Sequence, residues 1–170
     1  MKSEWVAVFD VDGVLTDGTF YSTKDGKFIK RFGPDDWDAM RELQSLCTIQ
    51  VVTADKKGYS IVEKRIADEM KFPLELVENK PPTRRWQWIK KRYPDKKIIY
   101  VGDGLYDWYC LAEADWSAAP ADALSHVRQR ANYVSSRKGS NRFVADVCLH
   151  VLDEIFKVDT WTIGMADDNK

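Results

Sequence analysis

The chain has 170 residues, 44% of them hydrophobic, with 26 basic and 27 acidic side chains and a formal net charge of −1. That length supports one domain with a real core and no need of disulfides or a structural metal. The near-neutral balance gives no electrostatic case for a nucleic-acid or membrane partner, although local basic clusters such as Lys90-Lys91-Arg92 occur.

The apolar run from Trp5 to Phe9 predicts a buried strand over 5–10, and Asp10-Val-Asp12-Gly13 follows at its tip, where glycine marks a turn. Two carboxylates ~4 Å apart repel by about 4 kcal/mol at an effective dielectric near 20. A metal ion relieves that repulsion, and hard oxygen ligands at a strand end suit Mg²⁺. Two solvated turn aspartates are the other reading that this pair alone allows.

Residues 18–32 read as a hairpin, with aromatic strands around a turn at Lys24-Asp25-Gly26. Further strands are predicted at 48–53, 74–77, 97–101, 115–118 and 132–134, and helices at 35–46, 57–70, 83–92, 105–113, 121–130 and 143–157. The strand at 48–53 ends on Thr53, followed by Ala54, and the strand at 97–101 runs into Gly102-Asp103-Gly-Leu-Tyr-Asp107. Taken alone, Thr53 reads sooner as a helix N-cap, with Lys56 and Lys57 solvated beyond it. Lys80 precedes two prolines and a helix in which Arg84 and Arg85 crowd the same segment, so a solvated charged face competes with a functional role there. Strands ending in polar groups and alternating with helices predict a doubly wound, Rossmann-like α/β sheet with helices on both faces and ligands at the carboxyl ends of the strands.

Cys47, Cys110 and Cys148 are odd in number, far apart and set in apolar surroundings, which predicts buried thiols, no disulfide and a reducing compartment. His126 and His150 lack metal-ligand spacing. No apolar run approaches the ~18 residues of a membrane span, and the N-terminus does not resemble a signal peptide. A cytoplasmic location is expected, with residues 1–158 as the domain and 159–170 as a flexible tail on which Trp161 and Ile163 could dock.

Together, Asp10-x-Asp12-Gly13-Val, Thr53, Lys80 and Gly102-Asp103-x-x-x-Asp107 resemble the four-motif signature of the haloacid dehalogenase superfamily of phosphotransferases. The string Asp12-Gly-Val-Leu-Thr-Asp-Gly18 and the later Ala118-Ala-Pro-Ala-Asp-Ala123 are similar to one branch, the 3-deoxy-D-manno-octulosonate 8-phosphate phosphatases, over roughly residues 5 to 152. The resemblance implies a Mg²⁺-dependent phosphomonoester hydrolase. Asp10 would be the nucleophile that forms an aspartyl-phosphate, and Asp12 the acid and base serving the leaving oxygen and then the attacking water. Thr53, the Ala54 amide, Gly13 and Lys80, or Arg84 in its place, would hold the phosphate. Asp10, the Asp12 backbone carbonyl and Asp103 would hold Mg²⁺, with Asp107 completing the shell through water or orienting Lys80.

The spacing from Asp10 to Thr53 to Lys80 leaves room for a hairpin and helices but no inserted cap domain, so an open site is expected. The branch closes such sites with neighbouring subunits, which implies a homotetramer with Phe20, Tyr21, Phe28 and Phe32 of the hairpin at an interface. Three departures concern specificity. The branch has Thr-Gly-Arg where this chain has Thr53-Ala54-Asp55-Lys56, an Asp-Gly-x-Gly turn where it has Asp36-Trp37-Asp38-Ala39, and a glycine-rich segment followed by Arg-Glu where it has Lys138-Gly139-Ser-Asn-Arg142-Phe-Val-Ala145-Asp146. The expected substrate is a small phosphorylated sugar or sugar acid. A nucleic-acid 3′-end phosphatase and a catalytically silent binding module are the alternatives.

Overall fold

A computed structural model describes residues 4–164. Strand β1 (Trp5–Asp10) runs into a wide turn over Val11–Leu15 and then a hairpin of β2 (Tyr21–Thr23) and β3 (Gly26–Ile29). Helix α1 (Asp36–Gln44) leads to β4 (Thr48–Thr53), α2 (Tyr59–Glu63) with a wider-pitched continuation over Lys64–Glu69, and β5 (Leu74–Leu76). The remainder alternates as α3 (Thr83–Arg92), β6 (Lys97–Val101), α4 (Trp108–Glu113), β7 (Trp116–Ala119), α5 (Ser125–Arg128), β8 (Tyr133–Val134) and α6 (Phe143–Glu154).

Six strands form one parallel sheet in the order β5-β4-β1-β6-β7-β8. Chain order reverses at β1, which lies between β4 and β6, and such a switch point opens a crevice at the carboxyl ends of the strands. Alternation along β1 decides which face each residue serves. Ala7 and Phe9 join the core under α1, α2 and α6, with Met40, Leu43, Val62, Val147 and Val151. Val6 and Val8 join the core under α3, α4 and α5, with Ile89, Leu111 and Val127. Both faces are therefore covered, which is why the strands read as nearly continuous apolar runs.

The predicted helix over 121–130 shrinks to Ser125–Arg128, because Leu124 adopts an extended conformation (ψ 140°) and breaks the earlier turn. The predicted helix over 143–157 stops at Glu154, short of the left-handed Lys157 (φ 57°). The three cysteines are free and buried. No helix of the described residues is long and apolar enough to cross a membrane. Of the expected tail, Thr160–Thr162 forms a 3₁₀ turn, Ile163 packs against the main core and Trp161 stays 89% exposed, while residues 165–170 lie outside the described residues.

Candidate active site

Parity places the nucleophile candidate. Asp10 follows Val6 and Val8 on the α3 side of the sheet, and Tyr100 follows Ile98 on the same side of β6. Residues 85 and 89 share one face of α3 through the i, i+4 relation, so Arg85 points inward beside the buried Ile89. The outcome is a buried charge cluster in which Arg85 Nη1 donates to Asp10 Oδ1 at 2.7 Å, Asp107 Oδ1 at 2.9 Å and the Tyr100 hydroxyl at 2.9 Å. Arg85 is 1% exposed, Asp107 2% and Asp10 7%.

Asp103 completes a second grouping. The carboxylates of Asp10, Asp103 and Asp107 each offer an oxygen within 4.8 Å of the other two. Oδ1 of Asp103 is buried without a hydrogen-bond partner. Burial, and then the neighbouring Asp10 and Asp107 charges, push the Asp103 carboxyl up to about 9. Burial likewise raises Asp10 to about 7 against the pull of Arg85. An orphaned carboxylate oxygen in an all-oxygen, acid-rich cluster suits a hard divalent cation, which would lower both values again. Asp107 Oδ2 accepts from the Asp103 and Gly104 amides at 3.2 and 2.9 Å, which fixes the loop after β6 around it.

Asp12 stands apart from those three acids. It sits in the turn after β1 with an extended backbone (ψ 117°), and its Oδ1 receives Lys30 Nζ at 2.6 Å. Its backbone carbonyl remains the group that the resemblance offers to a metal. Gly13 follows at φ 87°, and a Cβ there would fall 2.0 Å from Asp103 Oδ2, so only glycine fits between this turn and the acids. Lys30 comes from just beyond β3, with a side chain only 1% exposed, and also reaches Asp55 Oδ2 at 2.7 Å. Lys27 binds the same Asp55 oxygen at 2.7 Å. Burial alone would raise Asp55, but hydrogen bonds from Lys27 and Lys30 outweigh it and hold the carboxyl at about 2.

Thr53 ends β4 beside Asp10, buried, and its hydroxyl accepts the Asp55 amide at 3.1 Å. Ala54 and Lys80 line one cleft of about 380 Å³ with Glu78, Asn79 and Arg84. Lys80 is exposed, with its amine 5.9 Å from the Tyr106 ring centroid, and it makes no ion pair among the described residues. Arg84, the other candidate for that role, pairs with Glu78 at the surface. Asp10, Asp103 and Asp107 are thus brought together, Thr53 lies one strand away, and Lys80 stands outside the charge cluster. Sequence reasoning missed Arg85, Tyr100, Lys30 and Asp55. The first two were signalled by their parity with Ile89 and Ile98, whereas nothing local marks Lys30.

No protein-family model matches the chain. Among curated proteins, it is 32% identical over 143 residues to the 3-deoxy-D-manno-octulosonate 8-phosphate phosphatase KdsC of Escherichia coli K12, covering 83% of this chain and 75% of the relative. The Salmonella typhi KdsC is 31% identical over the same span and coverage. The chain belongs to the KdsC family of the haloacid dehalogenase superfamily.

Solved structures agree on the architecture. The cobalt-bound YrbI phosphatase of Haemophilus influenzae superposes with a TM-score of 0.74 at 25% identity, covering 95% of both chains. The Yersinia pestis 3-deoxy-D-manno-octulosonate 8-phosphate phosphatase gives 0.73 at 26% identity, covering 86% of this chain and 80% of the other. The Moraxella catarrhalis enzyme, solved with magnesium, phosphate and KDO, shares the fold at a TM-score of 0.77 and 24% identity, covering 87% and 85%. The chain is a phosphoric monoester hydrolase of this family with a divalent-metal site.

Proposed function

We propose that the chain is a Mg²⁺-dependent phosphatase of a small phosphorylated sugar acid, with 3-deoxy-D-manno-octulosonate 8-phosphate as the first candidate substrate. The observation that carries this reading is Asp10 at the tip of the central strand, with Thr53 ending the strand on one side and Asp103 following the strand on the other. Its carboxylate attacks phosphorus, the ester P–O bond breaks, and an aspartyl-phosphate forms on Asp10. Asp12, displayed on its own turn, gives a proton to the leaving alkoxide and then takes one from the water that splits the intermediate. The Thr53 hydroxyl and the Ala54 amide meet the phosphoryl oxygens, Gly13 lets the backbone approach, and Lys80 reaches in from the shared cleft. Asp10, Asp103, Asp107 and the Asp12 carbonyl would hold Mg²⁺, which would offset the repulsion between a carboxylate and a phosphate dianion.

Room for the rest of the substrate lies beside Lys80. A cavity of about 430 Å³ is lined by Pro82, Leu105, Tyr106, Trp108, His126 and Arg130, among others, and Tyr106 is the ring beneath the Lys80 amine. Asp55 stands where the branch has arginine and is already taken by two hairpin lysines, so the sugar contacts differ from the branch pattern. Of the hairpin aromatics expected at an interface, Phe32 instead packs against the main core, while Phe20, Tyr21 and Phe28, with Ile29, are exposed and favour assembly with further copies of the chain, a cytoplasmic homotetramer by resemblance. The test is phosphate release with Mg²⁺ across sugar-acid phosphates, sugar phosphates, nucleotides and 3′-phosphorylated oligonucleotides, run beside Asp10→Asn. Selective turnover of a sugar-acid phosphate, lost in the variant, is expected. Turnover confined to the oligonucleotide would overturn the substrate class.

A further inference from the structure

The loop after β6 that carries Asp103 and Asp107 also builds one wall of the cavity beside Lys80. Asp107 Oδ2 accepts the Gly104 amide at 2.9 Å and the Asp107 amide donates to the Gly104 carbonyl at 3.0 Å, so Leu105 and Tyr106, between those anchors, are held in one place. Together with Trp108 and Pro82 they give the cavity of about 430 Å³ its apolar and aromatic lining, while α5 and the residues just after it contribute His126 and Arg130. Charge sets this space apart. Lys27 and Lys30 are taken by Asp55 and Asp12, Arg84 by Glu78 and Arg142 by Asp35. Arg130 is exposed and makes no ion pair among the described residues, and no acid lines its cavity. Aromatic walls beside an unneutralised guanidinium suit a ligand with an apolar ring face and an anionic end.

We infer that Arg130 is a specificity-determining residue: its guanidinium binds the carboxylate of the sugar acid, while Tyr106 and Trp108 receive the C–H face of the sugar ring and Lys80 holds the phosphate end. The inference rests on the phosphatase reading of the site. The Lys80 amine stands 5.9 Å from the Tyr106 ring centroid, so the cleft of Lys80 and this cavity meet at one ring. A planar guanidinium takes a carboxylate through two parallel hydrogen bonds, whereas a neutral sugar offers it no charge to pair with. Selection for an acid over a neutral sugar phosphate therefore comes from the α5 side of the site. On the hairpin side, the two lysines that could read a carboxylate are already bound to Asp55 and Asp12.

The experiment measures kcat and KM with Mg²⁺ for 3-deoxy-D-manno-octulosonate 8-phosphate and for mannose 6-phosphate, the latter as an inhibition constant if it is not turned over. Wild type, Arg130→Gln and Arg130→Lys are compared, each checked for folding by circular dichroism, and both substitutions fall at an exposed side chain. Arg130→Gln is expected to raise KM for the sugar acid about tenfold or more, the scale of losing a charge-assisted pair, with kcat moving less. Its constant for mannose 6-phosphate should rise by about threefold at most, and Arg130→Lys should recover part of the sugar-acid affinity. A sugar-acid KM within about threefold of wild type in Arg130→Gln, or an equal rise for both sugars, overturns the inference. Saturation-transfer NMR with free 3-deoxy-D-manno-octulosonate separates this result from the phosphatase reading. Wild type is expected to transfer saturation to the sugar-ring protons and Arg130→Gln to lose most of it, whereas equal transfer in both proteins, or none in wild type, overturns the inference. A wild type that turns over no sugar phosphate would sink the proposed function instead, and the NMR comparison would still decide whether Arg130 holds the acid.

Discussion

The carboxyl edge of the sheet and the β2–β3 hairpin depart from the ordinary inside-outside partition in opposite directions. At the edge, Asp10, Arg85 and Asp107 are buried charges, and at the hairpin Phe20, Tyr21, Phe28 and Ile29 are exposed apolar side chains. Neither arrangement stabilises a lone monomer, since buried charges are costly and exposed aromatics forgo burial. The edge spends stability on a chemical task, and the hairpin keeps a surface available for contact. Lys30 joins the two regions, leaving the hairpin to bind Asp12.

The largest effect that sharpens this contrast is expected at Asp103. Asp103→Asn should cut turnover by roughly 10²–10³-fold, the scale of losing one preorganised electrostatic contact. Above pH ~9, where the Asp103 carboxyl is charged, the same change should raise the melting temperature of chelator-treated protein, because it removes a buried charge repelled by its neighbours. A fall in both would show that the acid cluster is not strained.

A pH series on chelator-treated protein comes next. Burial first, then like charge, raises Asp10 to about 7, Asp36 to about 6 and Asp103 to about 9, all from an ordinary 3.8. Between 3.8 and those values the native state holds more protons than the unfolded chain, so stability is greatest at the acid end and is lost as pH rises through that window. The loss should accumulate steadily between pH ~5 and ~9, with Asp103 the largest contributor, and saturating Mg²⁺ should remove the share carried by Asp10 and Asp103. Denaturant titrations at four or five pH values would check the sign.

Removing the link should cost less. Lys30→Met leaves Asp12 and Asp55 without their shared cation, at about 2 kcal/mol given their partial exposure. Urea melts read this directly, and an unchanged midpoint would mean that the hairpin is held by other contacts. The smallest effect on the monomer is expected from Tyr21→Ser with Phe28→Ser, within about 0.5 kcal/mol because both side chains are already in solvent. Sedimentation velocity should nonetheless show loss of self-association if the hairpin carries it.

Much of this organisation was legible in the sequence because it is local. Strand runs ending on Asp10, Thr53 and before Asp103 announce themselves through apolar periodicity followed by a polar tip, and the sheet order then brings those tips together. Arg85 was harder, since a basic residue in a segment that also holds Lys80 and Arg84 normally faces water. Its inward direction is fixed by helix phase, with Ile89 one turn later on the same face. Lys30 and Asp55 could not be paired from sequence, because their contact spans 25 positions and depends on how the hairpin folds back over the end of β4. The short α5 depended on a single backbone angle at Leu124, which composition does not encode.

One seam ties the ends of the story together. The amide of Ser140 donates to the Val14 carbonyl at 3.1 Å, and a Cβ on Gly139 would fall 2.1 Å from the Gly13 carbonyl oxygen, so the loop before α6 lies directly on the turn that carries Asp12. During synthesis that turn emerges first and its brace emerges more than a hundred residues later. A nascent chain therefore displays the turn that carries Asp12 long before the loop that braces it, and the turn can be locked in place only late in translation.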